Sequence, residues 1–83
     1  MRLSIYSLKK VLFDGEAESI TCMTKSGEIT VLADHEPLIT ELEGGTIKVV
    51  ERDTKEHYFP IKSGVLETKR NKTRILAEEI VRS

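Results

Sequence analysis

Cys22, His35, His57 and the charged clusters around Asp34 and Lys69 are the side chains whose chemistry could make a site. Cys22 is the single thiol, and with His35 or His57 as base it would form a nucleophilic pair. It sits within Glu18-Ser19-Ile20-Thr21-Cys22-Met23-Thr24, where alternating apolar residues suit a small buried hydrophobe better than an activated thiol. Asp34-His35-Glu36 sets an imidazole between two carboxylates, a composition that can bind metal. Successive side chains of an extended segment point to opposite sides, however, and cannot clasp one ion. His57 stands alone and reads as a solvated strand residue. Zinc takes about four well-spaced ligands, a set this chain does not supply. Gly44-Gly45 lacks the GxxxxGK[ST] frame in which backbone amides cradle phosphate, and reads as a β-turn. The basic run Lys69 to Arg74 could grip an acidic partner or be a solvated hairpin end. No catalytic residue, cofactor or metal is expected.

Charge and composition narrow the partners. Thirteen Lys+Arg against 14 Asp+Glu give a net charge of −1, without the basic excess of a general polyanion binder. With only Tyr6, Phe13, Tyr58 and Phe59 as aromatics, stacking on bases is not available either, so nucleic acid is not expected. At 39% hydrophobic and 33% charged the chain is globular. It has no apolar run near the roughly 20 residues that span a bilayer, so no direct membrane insertion is expected. One cysteine cannot close an intrachain disulfide, and Met1 to Tyr6 carries no signal-peptide core; a reducing compartment follows. A domain of 83 residues buries only roughly 60–65% of its unfolded surface, so a partner surface would add to a modest stability.

The elements that must position these residues are short strands. Leu3 and Ile5 alternate with polar residues from the start. Val11-Leu12-Phe13 is followed by an Asp14-Gly15 turn signal. Ile20 and Cys22 share one face of the next strand, and Lys25-Ser26-Gly27 turns into Glu28 to Leu32. Pro37 stiffens the polar corner Asp34-His35-Glu36 before the apolar Leu38, Ile39 and Leu42. Glu43-Gly44-Gly45 turns again into the β-branched Thr46 to Glu51, and Arg52 to Lys55 reads as a hairpin turn. His57 to Ile61 returns, with Pro60 pointing to an edge or a strand end. Ser63-Gly64 reads as a turn into Val65 to Thr68. Asn71 suits positive φ in the turn before Thr73 to Ala77. Ala77 to Arg82 is the one stretch with helical potential. The expectation is all-β: one domain over 1–83, a flattened two-sheet β-sandwich of about eight to ten short strands.

Four ordered motifs carry a resemblance. Val11-Leu12-Phe13-Asp14-Gly15-Glu16-Ala17 resembles V-L-F-x-G-x-a. Gly27-Glu28 with Val31-Leu32, His35 and Pro37-Leu38 resembles G-E-x-G-V-L-P-G-H-A-P-L. Ser63 to Glu67 resembles G-G-x-L-E, and Ile75 to Glu78 resembles V-L-A-D. This is the pattern of the epsilon subunit of F-type ATP synthases. The resemblance implies a sandwich of two five-stranded sheets and a non-catalytic rotor subunit of the central stalk. Such a subunit binds the gamma subunit and the polar loops of the c-ring and couples ion translocation to ATP synthesis. By matching position, Gly27 and Glu28 would face the c-ring, and Ser7, His35 and Thr40 the gamma subunit. The location implied is peripheral, on the cytoplasmic face of the bacterial inner membrane or the equivalent organellar side. The family commonly continues into a C-terminal helical hairpin, expected to be absent here because the sequence stops at Ser83. The corner also departs from the family: Ala33 and Asp34 replace its proline and glycine. The alternative left open is a small non-catalytic β-sandwich adaptor for an unrelated protein.

Overall fold

Alternation of apolar and polar residues passes directly into strands. The computed structural model describes residues 1–80. Eight strands lie there: β1 (Arg2–Tyr6), β2 (Val11–Glu16), β3 (Ser19–Thr24), β4 (Gly27–Leu32), β5 (Leu38–Leu42), β6 (Gly45–Val50), β7 (Glu56–Lys69) and β8 (Lys72–Glu79). Every pairing is antiparallel except that of β1 with β8.

β7 is the spine. β6 pairs along its first half, from Val50↔Glu56 to Gly45↔Ile61, and β5 along its second, from Leu42↔Gly64 to Leu38↔Thr68. The two partners keep one register, so β5 and β6 are halves of a single strand broken at Glu43 and Gly44. The register of β7 with β8 slips between Ile61 and Ser63, at the same level. A bulge of this kind bends a strand and lets β7 belong to two layers. One layer is β2-β1-β8-β7-β5 and the other β7-β6-β3-β4, five strands and four rather than two fives. Backbones close tightly at the bend: a Cβ on Gly64 would meet the Leu76 carbonyl oxygen at 2.9 Å, which only glycine avoids.

The inward residues of both layers form one core. Leu3, Ile5, Ile20, Val31, Ile47, Val49, Ile61, Leu66 and Ile75 are fully or almost fully buried. Burying a side chain of this size contributes about 1.5–3 kcal/mol, which fixes strand register because a one-residue slip would turn the whole set outward. Polar groups in the core are answered: the hydroxyls of Thr68 and Thr73 bond at 2.8 Å, and Thr73 Oγ1 donates to Met1 Sδ. Where β2 meets the first half of β7, Phe13 packs edge-on against His57 at 5.3 Å, and His57 stacks on Phe59.

Five expectations are corrected. Glu43-Gly44-Gly45 does not turn the chain back, because β5 and β6 run on in one direction along β7. Asp14-Gly15 is strand, inside β2, and Ser63-Gly64 is strand, inside β7. In both places cross-strand pairing overrides a local turn signal. Ala77 to Glu79 ends β8 rather than opening a helix, since pairing with β7 continues to Glu79; Val81 and Arg82 lie outside the described residues. His57 is half-buried, with Nε2 2.5 Å from Glu51 Oε2, not solvated. Pro60 pairs with Thr46 on one side alone, and Asn71 has φ 63° alongside Arg70 at 51°. Two successive positive φ values make the tight turn that right-handed strand twist favours.

Candidate functional site

The residues singled out from the sequence fall at the two ends of β4 rather than in one cluster. Gly27 starts the strand at φ 112°, a value that suits glycine and little else. It also pairs with Thr24, whose Oγ1 donates to the Gly27 carbonyl at 2.9 Å and accepts from Ser26 N–H at 3.1 Å. That buried threonine locks the turn and leaves Glu28 exposed just beyond it. Five residues on, about 17 Å along the strand, β4 ends at Leu32. A turn follows in which His35 N–H donates to the Leu32 carbonyl at 3.0 Å. The His35 ring Nδ1–H donates to the Glu36 carbonyl at 2.7 Å, so the exposed imidazole is held by its own corner. This geometry replaces the shaping glycine and proline of the family pattern.

Ser7 lies at the Gly27 end, away from His35. Its hydroxyl accepts from the N–H groups of Lys9 and Lys10, both at 3.2 Å, while its own N–H donates to the Lys10 carbonyl at 2.9 Å. Such a serine turn fixes the loop between β1 and β2 and thrusts Leu8 into solvent, 95% exposed. Thr40 is half-buried at mid-strand on β5, with Oγ1 donating to the Glu41 carbonyl.

Sequence reasoning missed the surface that these elements frame. Leu8, Val65 and Leu76 line an open groove of about 690 Å³, together with Ser7, Gly64 and Glu41. Val65 and Leu76 pair across β7 and β8, and Tyr6 pairs with Leu76 across β1, so one apolar row crosses the outer face of the five-stranded layer. Apolar surface gathered in a row, with Ile39 also exposed on β5, is a candidate contact surface. The signal was in the sequence as Leu76 beside Ile75 and Val65 beside Leu66: two adjacent apolar residues in a strand cannot both face the core.

The thiol is not set up as a nucleophile. Cys22 is buried in β3 and burial pushes its thiol up to about 11, the opposite of an activated nucleophile. Among the described residues no three of His, Cys, Asp and Glu gather to hold a metal ion. No helix of the described residues is long and apolar enough to cross a membrane.

Comparisons with known proteins place this geometry. The chain is similar to the ATP synthase epsilon chain of Hydrogenovibrio crunogenus, at 35% identity over all of its own length and 57% of the relative's. It is also similar to the sodium ion specific ATP synthase epsilon chain of Propionigenium modestum, at 42% identity over 89% of this chain and 53% of that one. The chain thus spans under 60% of these relatives. In the cryo-EM structure of the Euglena gracilis mitochondrial ATP synthase comprising OSCP, F1 and c-ring, one chain superposes with a TM-score of 0.90. That match is at 25% identity and covers 98% of this chain and 52% of that one. A central stalk and c-ring structure from Tetrahymena thermophila shares the fold at a TM-score of 0.79. With residues 1–83 matched end to end by the family of the ATP synthase delta/epsilon chain, beta-sandwich domain, the chain belongs to that family.

Proposed function

We propose that the chain is a non-catalytic rotor component of the central stalk of an F-type ATP synthase, forming one domain over residues 1–83. The observation that carries this reading is the superposition, at a TM-score of 0.90, on a chain of an assembled synthase containing F1 and c-ring. The work done is mechanical. A β-sandwich whose strands are cross-linked by ladders on both sides of β7 resists shear, and a close-packed interior transmits force with little compression. Held between two partners, such a body couples their rotation, and with it ion translocation, to ATP synthesis elsewhere in the complex.

The contacts fall to two sets of residues, and the Gly27 end of the molecule, where Ser7 lies beside Lys25, carries some of each. Gly27 and Glu28, on the turn locked by Thr24, meet the polar loops of the c-ring. His35, fixed by its own corner, meets the gamma subunit, as do Thr40 on β5 and the Ser7 turn that presents Leu8. The domain sits peripherally, on the cytoplasmic face of the bacterial inner membrane or the equivalent organellar side. An interface of about 800 Å² per partner would suffice to position it. The test is photo-crosslinking in the purified synthase, with benzoylphenylalanine introduced at Glu28 or at His35. Adducts of position 28 with the c-ring subunit and of position 35 with gamma are expected. Adducts of neither kind, in a complex that retains the chain, would overturn the assignment.

A further inference from the structure

Three strands set cations side by side on the outer face of the five-stranded layer. Register puts Arg2 beside Lys72 across β1 and β8, and Lys72 beside Lys69 across β8 and β7. Three positive side chains therefore share one row at strand spacing, about 4.8 Å. Arg74 follows two residues along β8 on the same face, and Arg70 stands at the turn beyond. Like charges directly opposite one another weaken a sheet, so the row costs stability. Arg2 and Arg74 are answered by Asp14 at 2.7 Å and Glu67 at 2.5 Å. Lys69, Arg70 and Lys72 make no ion pair among the described residues. All five cations line a concavity of about 440 Å³ whose one carboxylate is Glu67. Segregation of this degree stands out in a chain of net charge −1.

We infer that this row is a docking surface for an acidic segment of a neighbouring protein subunit; the partner's place rests on the stalk reading above. The concavity is open and offers no aromatic platform among its lining residues, whereas small-molecule sites enclose most of their ligand. A segment laid across the strands could set carboxylates against the row. The row shares its end of the molecule with His35: Glu16 pairs with Arg2, and Met1, Glu16 and His35 line one depression. That end is opposite the Gly27 turn proposed to face the membrane ring, which argues against lipid headgroups. Charge complementarity at such a rim acts chiefly on association rate and on salt dependence.

The variant Lys72→Glu tests this, because it turns both like pairs of the row into opposite pairs. Lys55→Glu, in the loop before β7, is the control. Binding of a hexa-aspartate peptide to the 83-residue chain is followed at low salt by amide chemical shifts. Phosphatidylcholine–phosphatidylglycerol vesicles and inorganic pyrophosphate are the competing probes. The expected result is shifts centred on Lys69 to Arg74, affinity weakened about tenfold in Lys72→Glu and unchanged in Lys55→Glu. The melting temperature of Lys72→Glu holds or rises, which separates lost binding from lost folding. Absence of peptide binding to the folded chain overturns the proposal, as does a response to vesicles or pyrophosphate alone. Peptide binding by a chain that neither binds the gamma subunit nor is found in the purified synthase upholds the acidic docking surface and removes the stalk reading.

Discussion

Leu8 offers the sharpest separation of binding from folding. It is 95% exposed, so its side chain makes almost no contribution to the core. Replacing it with alanine should change the folding free energy by less than about 0.5 kcal/mol, as for surface positions generally. If the groove it borders with Val65 and Leu76 closes on a partner, Leu8 is the residue with most to bury. Full burial of a leucine is worth about 1.5–3 kcal/mol. At about 1.4 kcal/mol per decade, Leu8→Ala should weaken the complex with the gamma subunit by about 10- to 100-fold. The Ser7 turn fixes the backbone at Leu8 before any partner arrives, so little backbone ordering offsets that gain. Isothermal titration with wild-type and variant chains, alongside urea unfolding of each, gives both numbers. An affinity change below about twofold, or a stability loss of several kcal/mol, would refute the reasoning: the first because Leu8 is not in the interface, the second because it is not free in the chain.

Other substitutions probe the fold. Ile75→Ala, at a position with no exposed surface, should cost about 2–5 kcal/mol in urea unfolding. Gly64→Ala should cost about 1–3 kcal/mol, because its new methyl falls 2.9 Å from a backbone oxygen that the β7–β8 ladder holds in place. Cys22 should react slowly with iodoacetamide near pH 8 until the chain is unfolded. Its thiol is raised from 9.0 to about 11 in the fold, so the unfolded chain gives up its proton first. Stability should therefore decline as pH rises from about 9 toward 11 and recover in Cys22→Ala after correction for its packing loss, measured by chemical denaturation across that range.

The strands were legible in the sequence because alternation is a local property. Leu3 and Ile5, Ile20 and Cys22, or Ile47 and Val49 announce their inward face without reference to any partner. The bend of β7 was not legible. Ser63-Gly64 carries the same local signal as a hairpin turn, and only the ladders on either side, with the register slip after Ile61, keep the chain extended through it. Asp14-Gly15 misleads for the same reason, and Ala77 to Glu79 reads as a short helix until β7 supplies a ladder. His57 looked solvated because Phe13 and Glu51, which enclose it, come from other parts of the chain. Of the candidate site, the rigid corner at His35 and the turn at Gly27 could be read from Pro37 and from glycine. Their place at opposite ends of one strand was legible too, from the turn before Glu28 and the corner after Leu32; that Ser7 serves to display Leu8 required the turn hydrogen bonds.

The central claim is that this domain joins a rotor, and the most direct test is titration of the chain against the gamma subunit of the same organism, with stoichiometry by size exclusion. A one-to-one complex of submicromolar affinity, weakened by replacing His35 with a bulky residue, is the expected result. A chain shown to be folded, yet without affinity for gamma and absent from the purified synthase, would contradict it.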